Sequence, residues 1–235
     1  DILTGGAGND SMVGGGGDDV YVVDAAGDVV TEAAAAGVDE VQTTLATYTL
    51  AANVEYLTGT VDTGQTLTGN ALSNVITAGT GNDTLSGGGG DDFPYGGDGG
   101  SDSVTAGAGN DTIWGDINTS GGVDTLAGGA DNDIYFVDAA TDLVVENASE
   151  GTDEVQTALA AYTLTANVEV LTSRTGSSQA LTGNTLGNVI TGGIGNDTLS
   201  GGDGADTLVG GMGADTMAGG AGAATHRHGV VGELA

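Results

Sequence analysis

Apolar side chains recur along this chain with a period of nine. Residues 5–13 read GGAGNDSMV and 14–22 read GGGGDDVYV. The same frame returns as GTGNDTLS (79–86), GGGGDDFPY (87–95), AGAGNDTIW (106–114) and GGADNDIYF (128–136). It closes with GGIGNDTLS (192–200), GGDGADTLV (201–209) and GGMGADTMA (210–218). Glycines fill the first places, Asp the sixth and an apolar residue the eighth. The Gly-rich six predict a tight turn, because glycine accepts positive φ and close backbone approach. The last three, with one apolar side chain between two outward neighbours, predict a short strand with a single buried face. A three-residue strand is unstable alone, but stacked on copies of itself it pairs along both edges and buries its apolar row. The pattern therefore predicts an all-β solenoid in which two nonapeptides make one 18-residue coil with two opposed sheets. Leu85, Ile113, Leu126, Leu199, Leu208 and Met217 would point inward. At roughly 4.8 Å per coil, about 13 coils would make a rod on the order of 60 Å long.

A larger repeat lies over the small one. The segment from Tyr21 returns from Tyr135, 114 residues on, without a gap: Asp24 maps to Asp138, Glu32 to Glu146, Gln42 to Gln156 and Tyr48 to Tyr162. NVEYLT (53–58) corresponds to NVEVLT (167–172), and GNALSNVIT (69–77) to GNTLGNVIT (183–191). The chain thus reads as one continuous roll over 1–222. Gly-Asp blocks at about 1–23, 69–136 and 183–222 alternate with spacers at about 24–68 and 138–182, and an irregular tail is expected over 223–235. Through the first spacer and into the repeat that follows it, Val30, Val41, Leu57, Leu67 and Ile76 are spaced to continue the inward row. The spacer turns lack the glycines and most of the Asp, which predicts the same fold with fewer metal sites.

Composition changes the picture at one point. Thirty-three Asp and Glu face two arginines, Arg174 and Arg227, for a formal net charge of −31, with no cysteine and 47 glycines. Leu, Ile, Val and Phe total 49 residues, near the level at which a highly charged chain reads as disordered. A disordered acidic tail lacks periodicity; this chain has two periods, so a cation that the sequence does not encode is expected to neutralise it. Nucleic acid is excluded as a partner for want of a basic footprint, no apolar run is long enough to span a membrane, and no thiolate metal site is possible.

Stacking coils brings like charges together. Asp197 and Asp215 are 18 residues apart, as are Asp1 and Asp19, and Asp10 and Asp28. A column of carboxylates at coil spacing is destabilising unless a cation intervenes. Oxygen donors in flexible turns, with no sulfur and no usable nitrogen, favour Ca²⁺ over Zn²⁺, and over the strictly octahedral Mg²⁺.

GGAGNDSMV, GGDGADTLV and GGMGADTMA resemble the GGxGxDxUx nonapeptides of the RTX (repeats-in-toxin, hemolysin-type) calcium-binding proteins, a motif with a known β-helix reading. The spacers' YVVD, DEVQT, NVE and GNxLxNVIT are similar to segments of large secreted RTX proteins. The resemblance implies a right-handed parallel β-roll with Ca²⁺ held between successive turns. Carried over place by place, it implies ligands at Asp10, Asp19, Asp83, Asp92, Asp102, Asp111, Asp124, Asp133, Asp197, Asp206 and Asp215, for about ten ions. It also implies an extracellular or cell-surface protein exported by type I secretion. Asn74 and Asn188 hold the Asp place in degenerate repeats, where a neutral amide weakens or abolishes a site. Pro94 falls at an inward strand place, where it removes a ladder N–H. With the extra residues near Gly99-Gly100 and between Asp116 and Gly122, it marks the middle block as the expected interruption of the calcium ladder. Ala224 stands where an Asp would stack over Asp206.

Catalysis is not expected within these residues. HExxH is absent, the only histidines being His226 and His228 in the tail; GxSxG and a cysteine nucleophile are absent too. The abundant carboxylates already have a structural rhythm. Residues 1–4, DILT, are the last four places of a nonapeptide, so the chain reads as part of something longer. Three roles fit: a rigid segment that folds on calcium outside the cell, a stabilising module beside a secreted lipase, protease or polysaccharide-modifying enzyme, or the rod of an adhesin, filament or surface layer. Self-association and surface polysaccharide are the further partners considered. Trp114 and the tyrosines read as strand-end packing before carbohydrate contacts.

Overall fold

The computed structural model describes residues 1–116 and 122–228, without the side chain of His228. Twenty-five short strands and no helix make a parallel β-solenoid of about twelve turns. Thirteen strands, from Ile2–Thr4 to Thr225–His228, form one continuous parallel sheet in which each pairs with the strand one coil away. The opposite face carries the alternate strands in three sheets of two, six and four. No helix among the described residues is long and apolar enough to cross a membrane.

Register follows the apolar row. On the long sheet Leu3 stands beside Tyr21, Tyr21 beside Val41, Val41 beside Leu57 and Leu57 beside Ile76. Leu67, Leu85, Val104, Leu126 and Val144 stack the same way opposite. Both rows are fully or almost fully buried and meet in one core, with Leu3 and Met217 half-covered near the two ends. Val30, Val41, Leu57, Leu67 and Ile76 are all buried, so the first spacer continues the roll.

Coil length is elastic. Glu40 pairs with Tyr56 after 16 residues, whereas Thr112 pairs with Ile134 after 22. The differences are taken up in the turns, so the inward row keeps its register. The stack has about twelve turns, against the expected 13 or so.

The opposite face breaks between Val29–Thr31 and Thr47–Thr49, and again between Leu143–Val145 and Ala161–Thr163. At both breaks an alanine, Ala46 or Ala160, stands where a carboxylate would accept the N–H of the preceding coil. The amides of Asp28 and Asp142 turn instead to Ala25 O and Ala139 O in their own turns.

Two expectations need adjusting. The tail does not become irregular at 223: Thr225–His228 adds a strand beside Thr207–Gly211, and Thr225 N–H bonds Asp206 O at 2.7 Å. The open sheet edge continues to select a strand after GGAG, even though Ala224 lacks a carboxylate. Residues 229–235 lie outside the described residues, as does 117–121 within the middle insertion. Pro94 is buried at its inward place and thins the ladder, since its strand pairs with the next coil only through Tyr95 and Trp114. The stack nevertheless runs through.

Candidate metal centre

The residue just before each strand belongs to one of two columns, one along each long edge of the roll. Before the long sheet's strands stand Asp1, Asp19, Asp39, Glu55, Asn74, Asp92, Asp111, Asp133, Asp153, Glu169, Asn188, Asp206 and Ala224. Along the other edge stand Asp10, Asp28, Ala46, Gln65, Asp83, Asp102, Asp124, Asp142, Ala160, Gln179, Asp197 and Asp215. All eleven expected ligands fall on these columns, at the mouths of the turns.

Within a column the backbone of one coil fixes the carboxylate of the next. Asp92 N–H donates to Asp111 Oδ1 at 2.7 Å, Asp111 N–H to Asp133 Oδ1 at 2.8 Å and Asp133 N–H to Asp153 Oδ1 at 2.9 Å. On the other edge Asp83 N–H donates to Asp102, Asp102 to Asp124 and Asp197 to Asp215, at 2.8, 2.8 and 3.0 Å. This hydrogen-bond ladder runs without a gap through the middle block, where Pro94 and the insertions are expected to interrupt the calcium ladder. Turn length changes there, but each Asp keeps its place directly before a strand.

The second oxygen is different. Oδ2 of Asp10, Asp19, Asp83, Asp92, Asp102, Asp111, Asp133, Asp197 and Asp206 is buried with no hydrogen-bond partner. Asp124 and Asp215 sit on the ladder without that orphaned atom. The first-place glycine makes room for the carboxylate: a Cβ on Gly14, Gly87, Gly128 or Gly201 would overlap Oδ2 of its own turn's Asp. Burial pushes Asp92, Asp102 and Asp133 up to about 7, and Asp111 and Asp124 up to about 6, with backbone N–H bonds pulling the other way. Asp83 and Asp197 are raised for the same reason. Among the described residues no arginine or histidine side chain pairs with a carboxylate.

These are the marks of a site built around a hard cation. A buried carboxylate oxygen with no donor is costly, and an ion removes the cost. The donors are all oxygen, in open turns, and the missing Cβ leaves space beside them. Ca²⁺ fits this set.

The family model of the RTX calcium-binding nonapeptide repeat, in four copies, matches residues 1–30, 68–99, 96–135, 116–144 and 182–225, well over half of the chain. The chain belongs to that family. No curated protein matches it as a relative. In this RTX chain the matched segments leave out 31–67 and 145–181, the greater part of both spacers, although the stack and its columns run through them.

Sequence reasoning missed what fills the columns in the spacers. Asp28 and Asp142 are on the ladder, accepting from Asp10 and Asp124, but their Oδ2 atoms accept N–H groups of their own turns, from Ala25 and Ala139. Those backbone bonds, chiefly from Asp10, hold Asp28 below the ordinary carboxylate range. At the amide positions a donor takes the cation's part. Asn74 Nδ2 donates to Val54 O at 3.0 Å, and Asn188 Nδ2 to Val168 O at 3.0 Å. Gln65 and Gln179 donate likewise to Leu45 O and Leu159 O, at 2.7 and 2.6 Å. Asp39, Asp153, Glu55 and Glu169 were also missed. The usable signal was position: each directly precedes a strand, one coil away from an Asp or Glu already in a column.

Trp114 stacks on Phe136 with centroids 4.0 Å apart, and the Arg174 guanidinium lies 4.3 Å from the Phe136 ring. The aromatic group packs across adjacent strands, which leaves its rings occupied by neighbours.

Proposed function

We propose that this chain is a calcium-dependent structural module that folds where calcium is plentiful and serves as a rigid segment of a larger secreted protein. The observation that carries the reading is the row of eight buried Asp side chains, Asp19, Asp83, Asp92, Asp102, Asp111, Asp133, Asp197 and Asp206, each with one oxygen held by the neighbouring coil and one without a partner. The proposed ligands are Asp10, Asp19, Asp83, Asp92, Asp102, Asp111, Asp124, Asp133, Asp197, Asp206 and Asp215, together with turn carbonyls.

With dissociation constants near 10⁻⁴ M and about 1 mM calcium, each site contributes roughly 1.4 kcal/mol by linkage. About ten such sites are comparable to the whole stability of a domain. At sub-micromolar calcium the contribution vanishes and the charge of −31 is left to repel itself. A chain unfolded inside the cell and folded outside suits export in an extended state, and the metal takes the stapling role that cysteine does not.

Far-UV circular dichroism decides between this reading and a calcium-independent solenoid. The spectrum is expected to be coil-like in EGTA and β-rich at millimolar calcium, reversibly. A chain equally β-rich in EGTA would sink the proposal. A second reading, the rod of an adhesin or surface layer, is favoured by the 114-residue duplication, which lengthens the stack without adding new chemistry.

A further inference from the structure

The family match stops at residues 30 and 144, within two acidic groups that the duplication places identically: Asp19 and Asp133 fall inside it, Glu32, Asp39, Glu146 and Asp153 beyond it. Asp19, Glu32 and Asp39 each offer a carboxylate oxygen, and the three oxygens lie within 4.8 Å of one another. Asp133, Glu146 and Asp153 repeat the arrangement 114 residues on. All six side chains are buried, Asp39 completely, and Glu146, the least covered, at 8% exposed. The oxygens left without a partner belong to these same residues: Oδ2 of Asp19 and Asp39 in the first group, and Oδ2 of Asp133 with Oε2 of Glu146 in the second.

Each group joins the last nonapeptide before a spacer, which supplies Asp19 or Asp133 and a tyrosine, to spacer residues that supply the glutamate and the second aspartate. The inward place of Val20–Val23 and of Ile134–Val137 holds a tyrosine in place of an aliphatic residue. Tyr21 OH accepts Gly14 N–H at 2.7 Å and donates to Glu32, while Tyr135 OH accepts Gly128 N–H at 2.6 Å and donates to Glu146. From the next coil, Asn53 Nδ2 holds Glu32 O at 3.0 Å and Asn167 Nδ2 holds Glu146 O at 2.9 Å. Asp39 N–H donates to Glu55, and Asp153 N–H to Glu169. Each glutamate is thus locked from two sides in a position facing two aspartates.

Three carboxylates in one buried pocket cannot all stay ionised without a counter-charge; among the described residues no side-chain cation reaches either group, and only the N-terminal ammonium of Asp1 touches the first, 2.7 Å from Asp19 Oδ1, while the second has no such neighbour. We infer that each spacer carries one divalent-cation site of its own, formed by Asp19, Glu32 and Asp39 in the first and by Asp133, Glu146 and Asp153 in the second. The identification of the ion as calcium rests on the function proposed above. These sites differ from those of the Gly-Asp turns in supplying a third carboxylate. Since more ligand charge and a more rigid frame raise calcium affinity, the two spacer sites are the tightest in the chain and fill first.

The test compares the full chain with the Glu32→Gln/Glu146→Gln double variant, counting calcium by native mass spectrometry and following a titration with Tb³⁺, whose emission the adjacent Tyr21 and Tyr135 sensitise. The wild type is expected to bind two ions per chain in a first, tyrosine-sensitised phase. The double variant is expected to lose that phase and two ions, while remaining β-rich at saturating calcium. An unchanged ion count with an unchanged first phase overturns the inference. Should the double variant not fold, the wild-type titration decides alone, because a filling curve without a two-ion sensitised phase also overturns it. Failure of calcium-dependent folding altogether would be a different result, striking at the proposed function.

Discussion

The amide of Asp111 donates to Oδ1 of Asp133 at 2.8 Å across 22 residues of chain, the same bond that joins Asp197 to Asp215 across 18. The ladder is therefore set by adjacency in the stack and not by a fixed count along the sequence. It leaves Asp111 with one oxygen satisfied by Asp92 N–H and one without a donor.

Replacing Asp111 by Asn keeps the acceptor for Asp92 and removes a negative charge. The effect is expected to have opposite signs in the two states. Without metal, D111N relieves repulsion within its column and shows more residual β structure than wild type. With calcium it loses one site, roughly 1.4 kcal/mol at tenfold saturation, and its folding midpoint moves to higher calcium. Circular dichroism against calcium concentration measures both; a variant destabilised equally in EGTA and in calcium would contradict the ligand role.

Protonation should act on the metal-free chain in the same way. Asp92, Asp102 and Asp133 titrate near 7 and Asp111 and Asp124 near 6 in the folded state, against about 3.9 when unfolded. The folded form therefore binds more protons between these values. The stabilisation from protonating them is complete below about pH 4 and is lost as pH rises through about 6–7. Metal-free protein is expected to gain β structure as pH falls from 8 to 4. Calcium affinity should fall over the same window, since the ion needs these groups ionised. A pH titration in EGTA and one in saturating calcium should move in opposite directions.

Much of this was legible in the sequence because a parallel stack repeats its chemistry at each coil. Period nine gave Leu85, Leu126 and Leu208 as buried, and the position of Asp83 or Asp206 before a strand gave the columns. The spacers were harder to read. Glu32 is held because Tyr21 fills an inward place and carries its hydroxyl to the turn, a relation across the core of a single coil that no local pattern encodes. Asp28 and Asp39 look alike in sequence, yet turn N–H groups satisfy Asp28 while Asp39 Oδ2 has no partner. The continuation of the sheet through His226 was hidden because Ala224 broke the motif while the open edge of Thr207–Gly211 still selected a strand.

Glycine does two separable jobs in these turns. At Gly87 the φ is ordinary, but a Cβ would overlap the Asp92 carboxylate and approach Ala106 O. Gly16 faces open space with no positive φ. Gly87→Ala is expected to cost about 1–3 kcal/mol through overpacking and to raise the calcium midpoint, whereas Gly16→Ala should stay within about 0.5 kcal/mol of wild type. Thermal unfolding at saturating calcium compares the two; equal effects would mean that space beside the carboxylate is not what the first-place glycine provides.

The amide positions offer the converse change. Asn188 Oδ1 accepts Asn184 N–H at 2.8 Å, and its Nδ2 donates to Val168 O and Glu169 O at 3.0 and 3.3 Å. Its own N–H bonds Asp206 Oδ1, so it occupies a ladder place with a donor where the Asp turns have an orphaned oxygen. Asn188→Asp keeps the acceptor, frees the two carbonyls and adds a carboxylate oxygen facing them. The variant is expected to be less structured than wild type in EGTA, because a buried charge replaces two satisfied bonds. In calcium it should bind one more ion and recover wild-type stability or exceed it. Ion counting by native mass spectrometry, with thermal unfolding at several calcium concentrations, reads both effects. A variant that loses stability in EGTA yet gains no ion would show that an Asp before a strand is insufficient, and that the glycines of the preceding turn are required as well.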